Sequence, residues 1–130
     1  MADPLPLLSV LVVDDQVDTA ESTAELLSLH GCQTRVATSG AEALQLAATE
    51  TPDVVLLDIG MPGMDGWEFA RRLRSQTAGK QPIVVAVSGF GSLADRQHSA
   101  DTGIDMHLVK PANPAHLTDM LAKIRSNYLG

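Results

Sequence analysis

The most informative residues in this sequence are acids that stand directly after apolar runs. The apolar residues 54–57 end on Asp58, and the run of residues 7–13 ends on Asp14 and Asp15. An apolar run without polar alternation predicts a strand that is buried on both faces, as in parallel sheets covered by helices. A carboxylate at the end of such a strand lies at the rim of the sheet, where it can bind a metal ion or act as a nucleophile.

Two further polar residues follow predicted strands in the same way. The apolar residues 83–87 end on Ser88, and the short run of residues 104–109 ends on Lys110. The carboxyl ends of parallel strands meet at one edge of a doubly wound sheet, which is where ligands bind. Three carboxylates and one ammonium in one crevice leave an excess of negative charge that requires a divalent cation. Mg²⁺ is the natural candidate because it prefers oxygen ligands.

The chemistry that these groups allow is attack on phosphorus. Asp58 would be the nucleophile and would form an aspartyl phosphate. Lys110 and the metal would neutralise charge on the phosphoryl oxygens, and the Ser88 hydroxyl would donate a hydrogen bond to one of them. Gly60, two residues after Asp58, can offer its backbone carbonyl as a metal ligand. Phe90, two residues after Ser88, is bulky and apolar, and we hypothesise that it limits the attack of water on the phosphorylated residue.

Helix signals alternate with these strands. Small and apolar residues spaced by three and four predict a first helix of about three turns, which ends near Gly31. Residues 33–37 predict a short edge strand, and Ser39 with Glu42 predicts a capping box at the start of a second helix.

Three further helices are predicted in the second half of the chain. The third begins at Asp65, and the arginines within residues 71–74 are expected on its solvated face. The fourth and fifth are predicted within residues 92–103 and 113–124. Five strands alternating with five helices predict an α/β fold, a doubly wound five-stranded parallel sheet with helices on both faces.

The length and composition of the chain limit its number of domains, its partners and its location. The 130 residues fit one domain. The net charge of −7 argues against direct binding to nucleic acid and favours a basic partner surface. The amino terminus lacks the positive charge of a signal peptide and no apolar run approaches the ~18 residues of a membrane span, so a cytoplasmic protein without membrane association is expected. A single cysteine, Cys32, cannot form an internal disulfide, which fits a reducing compartment.

The residues at the strand ends together resemble the receiver domains of two-component response regulators, from about Ser9 to Ile124. The motifs that carry the resemblance are Asp14-Asp15, Asp58 with Met61-Pro62 and Asp65-Gly66, Ser88-Gly89, and Lys110-Pro111. The resemblance implies a flavodoxin-like sheet in the order 2-1-3-4-5 and one receiver domain over residues 1–130. It also implies Mg²⁺-dependent transfer of a phosphoryl group from a histidine kinase or a histidine phosphotransfer protein.

The resemblance further assigns roles to individual residues. They are Asp58 as phosphoacceptor, Asp14 and Asp15 as the acidic metal pair, Ser88 as switch hydroxyl, and Lys110 as phosphate-binding lysine. Such a domain promotes its own phosphorylation and dephosphorylation, but it is not a turnover enzyme on an external substrate. Its switch is read by a downstream target or a dimer partner through the last two helices and the last strand.

Two positions depart from the pattern of the family. Three residues before Lys110 the family usually has tyrosine or phenylalanine, and here the residue is His107. Ser88 stands where threonine is common. Both residues keep a hydrogen-bonding group, and His107 is expected to be either the switch side chain or a packing residue.

The two alternatives to a phosphoacceptor are an inert pseudo-receiver and a haloacid-dehalogenase-type phosphatase. An inert pseudo-receiver would serve only as a contact module, but the complete acidic set and Lys110 argue against it. A haloacid-dehalogenase-type phosphatase needs a second aspartate two residues after the first, where this chain has Gly60. A freestanding regulator and a domain of a larger protein, such as a hybrid kinase, both fit the sequence.

Overall fold

A computed structural model of the chain describes residues 8–58, 66–79, 81–88, 104–109 and 114–124. The elements in chain order are β1 (Leu8–Val13), α1 (Val17–Leu29), β2 (Cys32–Ala37), α2 (Gly40–Thr49), β3 (Val54–Asp58), α3 (Gly66–Gln76), β4 (Ile83–Ser88), β5 (Met106–Val109) and α4 (Pro114–Ile124). The helix predicted within residues 92–103 lies outside the described residues. None of the described helices is long and apolar enough to cross a membrane.

The strands form one parallel sheet in the order β2-β1-β3-β4-β5. Val13 at the end of β1 pairs with the residue before Asp58, Asp58 pairs with Val87, and Ser88 pairs with Val109. Because every pairing is parallel, the carboxyl ends of these strands lie along one edge of the sheet. The predicted α/β class with a parallel sheet is confirmed.

Apolar layers cover both faces of the sheet. On one face, α2 and α3 pack against alternate strand residues in a cluster that includes the fully buried Phe69. On the other face, α1 and α4 cover a second cluster that includes Val12, Leu56 and Leu117. Strand β3 is buried at every position, as its continuous apolar sequence predicts. Asp58 is therefore held at the end of the most enclosed strand described.

The predicted ends of two helices are confirmed. The Ser39 hydroxyl accepts a hydrogen bond from the Glu42 amide at 3.1 Å, which begins α2. The Glu42 carboxylate accepts a hydrogen bond at 2.7 Å from the amide of Thr38, one residue earlier than in the standard capping box. Gly31 follows α1 with a φ of 85°, a left-handed conformation that glycine adopts without strain.

The expectation that all three arginines of α3 are solvated is wrong for Arg74. Its guanidinium contacts the Asp105 carboxylate at 2.7 Å and donates a hydrogen bond to the Pro82 carbonyl at 2.6 Å. The same carboxylate oxygen of Asp105 accepts a hydrogen bond from the Val84 amide at 2.9 Å. Arg74 thus ties the end of α3 to Pro82, just before β4, and to Asp105, just before β5.

Candidate metal-binding site at the carboxyl edge of the sheet

Strand pairing and backbone hydrogen bonds position Asp58 and Asp14. Asp58 is the last residue of β3. Asp14 follows β1 directly, and its amide donates to the Ala37 carbonyl at 3.1 Å, which extends the β1–β2 pairing by one residue. The Gln16 amide donates to the Asp14 carboxylate at 3.0 Å where the chain turns into α1. This bond fixes the orientation of the Asp14 side chain.

Three of the predicted site residues lie together. Asp14, Asp15 and Asp58 each offer a carboxylate oxygen, and these oxygens all lie within 4.8 Å of one another. Asp14 and Asp58 are each only 8% exposed, whereas Asp15 is exposed to solvent. The cluster therefore has two buried members and one that faces water.

The composition of the cluster fits Mg²⁺. All three side chains supply hard oxygen ligands, and the ion is commonly bound through a few carboxylates while it keeps several waters. The exposure of Asp15 leaves room for such waters on the solvent side. Carboxylates this close together favour a cation because their negative charges repel one another.

The structure describes the other predicted residues only in part. Ser88 is the last residue of β4, and the backbone of His107 pairs with Ala86. The side chains of Ser88 and His107 fall outside the described part of the chain, as do the residues Gly60, Phe90 and Lys110. Their roles stay predictions.

A cleft of about 560 Å³ opens beside the carboxylates, and we call it the α1–α4 cleft. Its described lining consists of Val12, Val13, Asp14, Gln16, Thr19, Thr23, Leu56, Asp58, Val87 and Leu117. This cleft was not predicted from the sequence. The available signal was the spacing of Thr19 and Thr23, since residues four apart lie on one face of a helix.

Comparison with known protein families gives a match over most of the chain. The model of the response regulator receiver domain matches residues 10–122. The response regulator MprA of Mycolicibacterium vanbaalenii is 40% identical over 117 residues, which cover 90% of this chain and 48% of that protein. MprA of Mycobacterium leprae is 38% identical over 119 residues, which cover 92% of this chain and 50% of that protein. The chain therefore spans about half the length of these curated relatives.

Solved structures resemble this fold closely. The chemotaxis protein CheY4 of Vibrio cholerae, crystallised at low pH, superposes with a TM-score of 0.86 at 30% identity. The superposition covers 91% of this chain and 98% of the CheY4 chain. A CheY-like receiver domain protein of Methanospirillum hungatei superposes with a TM-score of 0.84 at 27% identity. The superposition covers 93% of this chain and 95% of the chain from Methanospirillum hungatei. These likenesses extend over nearly the whole of each neighbour.

Proposed function

This chain belongs to the response regulator receiver domain family, and from that premise we propose that it accepts a phosphoryl group on Asp58 with the help of Mg²⁺. The observation that carries the proposal is the cluster of Asp14, Asp15 and Asp58 at the carboxyl edge of the sheet. Response regulators act with histidine kinases and downstream targets in two-component signalling. The proposal assigns this chain the phosphoacceptor role in such a pair.

The proposed reaction transfers a phosphoryl group between two nucleophiles. A carboxylate oxygen of Asp58 attacks the phosphorus of a phosphohistidine in a histidine kinase or phosphotransfer protein. The new P–O bond forms as the P–N bond breaks, and the released imidazole nitrogen takes up a proton. The position of Asp58 at the end of a fully buried strand restricts its side chain, which favours a productive alignment.

The metal ligands in this proposal are the carboxylates of Asp14, Asp15 and Asp58 and the backbone carbonyl of Gly60. When bound, Mg²⁺ would neutralise charge on the carboxylates and on the phosphoryl oxygens. Asp14 is already oriented by its hydrogen bond from the Gln16 amide. The chain would therefore offer a partly organised site before any phosphodonor arrives.

Four further residues would bind the phosphoryl group, transmit the signal or protect the aspartyl phosphate from water. We propose that Lys110 and Ser88 contact the phosphoryl oxygens, that His107 responds to the movement of Ser88, and that Phe90 limits the access of water. The response would alter the binding of a downstream target or dimer partner at the last two helices and β5. The protein would act in the cytoplasm, promote its own phosphorylation and dephosphorylation, and have no external substrate.

Phosphorylation should require Mg²⁺ and should depend on Asp15. In the presence of acetyl phosphate and Mg²⁺, intact mass spectrometry is expected to show the gain of one phosphoryl group, and chelation should prevent it. Asp15→Ala should slow the gain about 100-fold, because about 3 kcal/mol of charge stabilisation corresponds to that factor in rate. Mg²⁺ binding, followed by isothermal titration, should weaken in parallel.

Asp18→Ala is the matched control, since Asp18 is an exposed aspartate in the first turn of α1. This variant should gain the phosphoryl group at the wild-type rate. Equal rates with and without chelator, or an unchanged rate in Asp15→Ala, would contradict the proposed metal site. A wild-type chain that gains no phosphoryl group under any of these conditions would instead be a pseudo-receiver.

A further inference from the structure

Helix α3 carries a cluster of positive charge on an acidic chain. Three of the nine lysines and arginines in the sequence lie within residues 71–74, while the chain as a whole carries a net charge of −7. Helix α1 is the opposite case, since it contains Asp18, Glu21 and Glu25 and no lysine or arginine. Because α1 and α3 cover opposite faces of the sheet, the charges of these two helices are separated across the molecule.

Two of the three arginines face the solvent. The guanidinium of Arg74 is held by Asp105 and by the Pro82 carbonyl, so its charge is already paired. Arg71 and Arg72 are both exposed. Among the residues that the structure describes, the Arg71 side chain forms no hydrogen bond and no ion pair. Its guanidinium is therefore available to an anion from another molecule.

Arg72 has a partner that it can exchange. Its guanidinium contacts the Glu68 carboxylate at 3.0 Å, one turn earlier in the helix, and the side chains of Arg72 and Glu68 are 57% and 40% exposed. Exposed pairs at this spacing contribute little to stability, because water solvates both charges well and salt screens them. A carboxylate from another molecule can therefore replace Glu68 at Arg72 with little loss.

The two exposed arginines border a shallow depression. Arg71, Arg72, Ser75 and Gln76 line this open depression of about 420 Å³, and we call these four residues the α3 arginine surface. Ser75 and Gln76 each follow one of the arginines by four residues, so they extend the same face of the helix. The Gln76 amide donates a hydrogen bond to the Leu44 carbonyl at 2.9 Å. This bond fixes the surface against α2.

The chemistry of the α3 arginine surface favours carboxylates. A guanidinium offers parallel N–H donors that match the two oxygens of a carboxylate or a phosphate. A long nucleic acid would also bring its phosphates towards the acidic residues elsewhere on this chain, whose net charge is −7. A short acidic segment can remain on the surface and avoid that repulsion. The charges therefore favour a protein segment that is rich in aspartate or glutamate.

We propose that the α3 arginine surface docks an acidic segment of a partner protein. One carboxylate of that segment would bind the guanidinium of Arg71, and a second would replace Glu68 at Arg72. The Ser75 hydroxyl can donate a hydrogen bond to either of them. The surface lies on the face of the sheet opposite to α1 and α4, so such a partner would leave those two helices uncovered. The proposal does not involve Asp58 and is independent of the proposed function.

An acetylated and amidated hexaglutamate peptide is the probe. It is titrated into the full chain at low salt, and amide shifts are followed in ¹H–¹⁵N correlation spectra. Saturable shifts are expected at the amides of the α3 arginine surface. Raising the NaCl concentration from about 0.05 M to about 0.5 M should weaken binding about tenfold, because salt screens exposed charges. A neutral peptide of the same length, built of glycine and serine, should cause no shifts.

Substitution of Arg71 tests the location. Arg71→Gln should weaken binding of hexaglutamate about fivefold, since one charge-assisted contact is lost. Lys123→Gln is the matched control, because it removes one positive charge from an exposed residue of α4 on the other face of the sheet. This control should keep the wild-type affinity. Arg71→Lys keeps the charge but loses the paired donors, so its affinity should fall between those of the wild type and Arg71→Gln.

Substitution of Glu68 tests the exchange of partners at Arg72. Glu68→Gln should strengthen binding of hexaglutamate about threefold, because Arg72 no longer has a competing carboxylate in its own helix. Glu21→Gln removes the same charge from the exposed face of α1 and should leave the affinity unchanged. The two variants have the same net charge, so a difference between them reports the local contact.

Four outcomes would overturn the proposal. The first two are the absence of saturable shifts in α3 and an equal loss of affinity in Arg71→Gln and Lys123→Gln. The third is an equal gain in Glu68→Gln and Glu21→Gln, which would indicate an effect of net charge alone. The fourth is tighter binding of a single-stranded DNA hexanucleotide than of hexaglutamate, which would indicate a nucleic acid partner. Phosphorylation is not measured in these titrations, so their failure leaves the phosphoacceptor proposal standing.

Discussion

Asp58→Asn is expected to abolish the phosphoryl gain of this chain while leaving it folded. The substitution keeps the size of the side chain but replaces the carboxylate nucleophile with a neutral amide, which does not attack phosphorus as a carboxylate does. It also removes one of the three carboxylates of the proposed metal site. After incubation with acetyl phosphate and Mg²⁺, intact mass spectrometry should show the phosphorylated species in the wild type and none in the variant.

Asp119→Asn is the control for the loss of an aspartate as such. Asp119 is exposed in α4, outside the acidic cluster and the cleft lining. This control should gain the phosphoryl group as the wild type does. Phosphorylation of the Asp58→Asn variant at the wild-type rate would show that another residue is the acceptor.

Phe69→Ala is expected to cost about 3–5 kcal/mol in the free energy of unfolding. Phe69 is fully buried, and it belongs to the apolar cluster between the sheet and the pair α2 and α3. Removing its ring leaves a cavity that the surrounding residues fill only in part. Because small domains are stable by only about 5–15 kcal/mol, urea unfolding followed by far-UV circular dichroism should show a large shift of the midpoint.

Two further variants of α3 calibrate this result. Arg71→Ala removes an exposed side chain from the same helix and should change the free energy of unfolding by less than about 0.5 kcal/mol. Phe69→Leu keeps most of the apolar volume, and its loss of unfolding free energy should fall between those of Phe69→Ala and Arg71→Ala. A loss below about 1 kcal/mol in Phe69→Ala would contradict the position of this ring in the core.

Those parts of the fold that follow from local pattern were predictable from the sequence. The continuous apolar sequence of β3 predicted burial on both faces, and every one of its residues is buried. Ser39 and Gly31 mark helix ends because their preferences, a side-chain hydrogen bond and a left-handed φ, act within a few residues. Parallel strands then bring Asp14, Asp15 and Asp58 to one edge.

Features that depend on distant partners were not predictable in this way. Arg74 fits the solvated face of α3 by periodicity, but its partner Asp105 lies 31 residues further along the chain. The α1–α4 cleft depends on how far two helices stand apart over the sheet, and helical spacing alone does not determine that distance. Glu42 reaches the amide of Thr38, because the loop before α2 brings that donor within reach.

The most direct test of the central claim is the identity of the residue that carries the phosphoryl group. Protein treated with acetyl phosphate and Mg²⁺ is reduced with borohydride, which converts an aspartyl phosphate to homoserine, and is then mapped by peptide mass spectrometry. The proposed function predicts homoserine at position 58 and unmodified aspartate at positions 14 and 15. Homoserine at another position would contradict this prediction. The absence of homoserine from protein whose intact mass shows the phosphoryl group would contradict it as well.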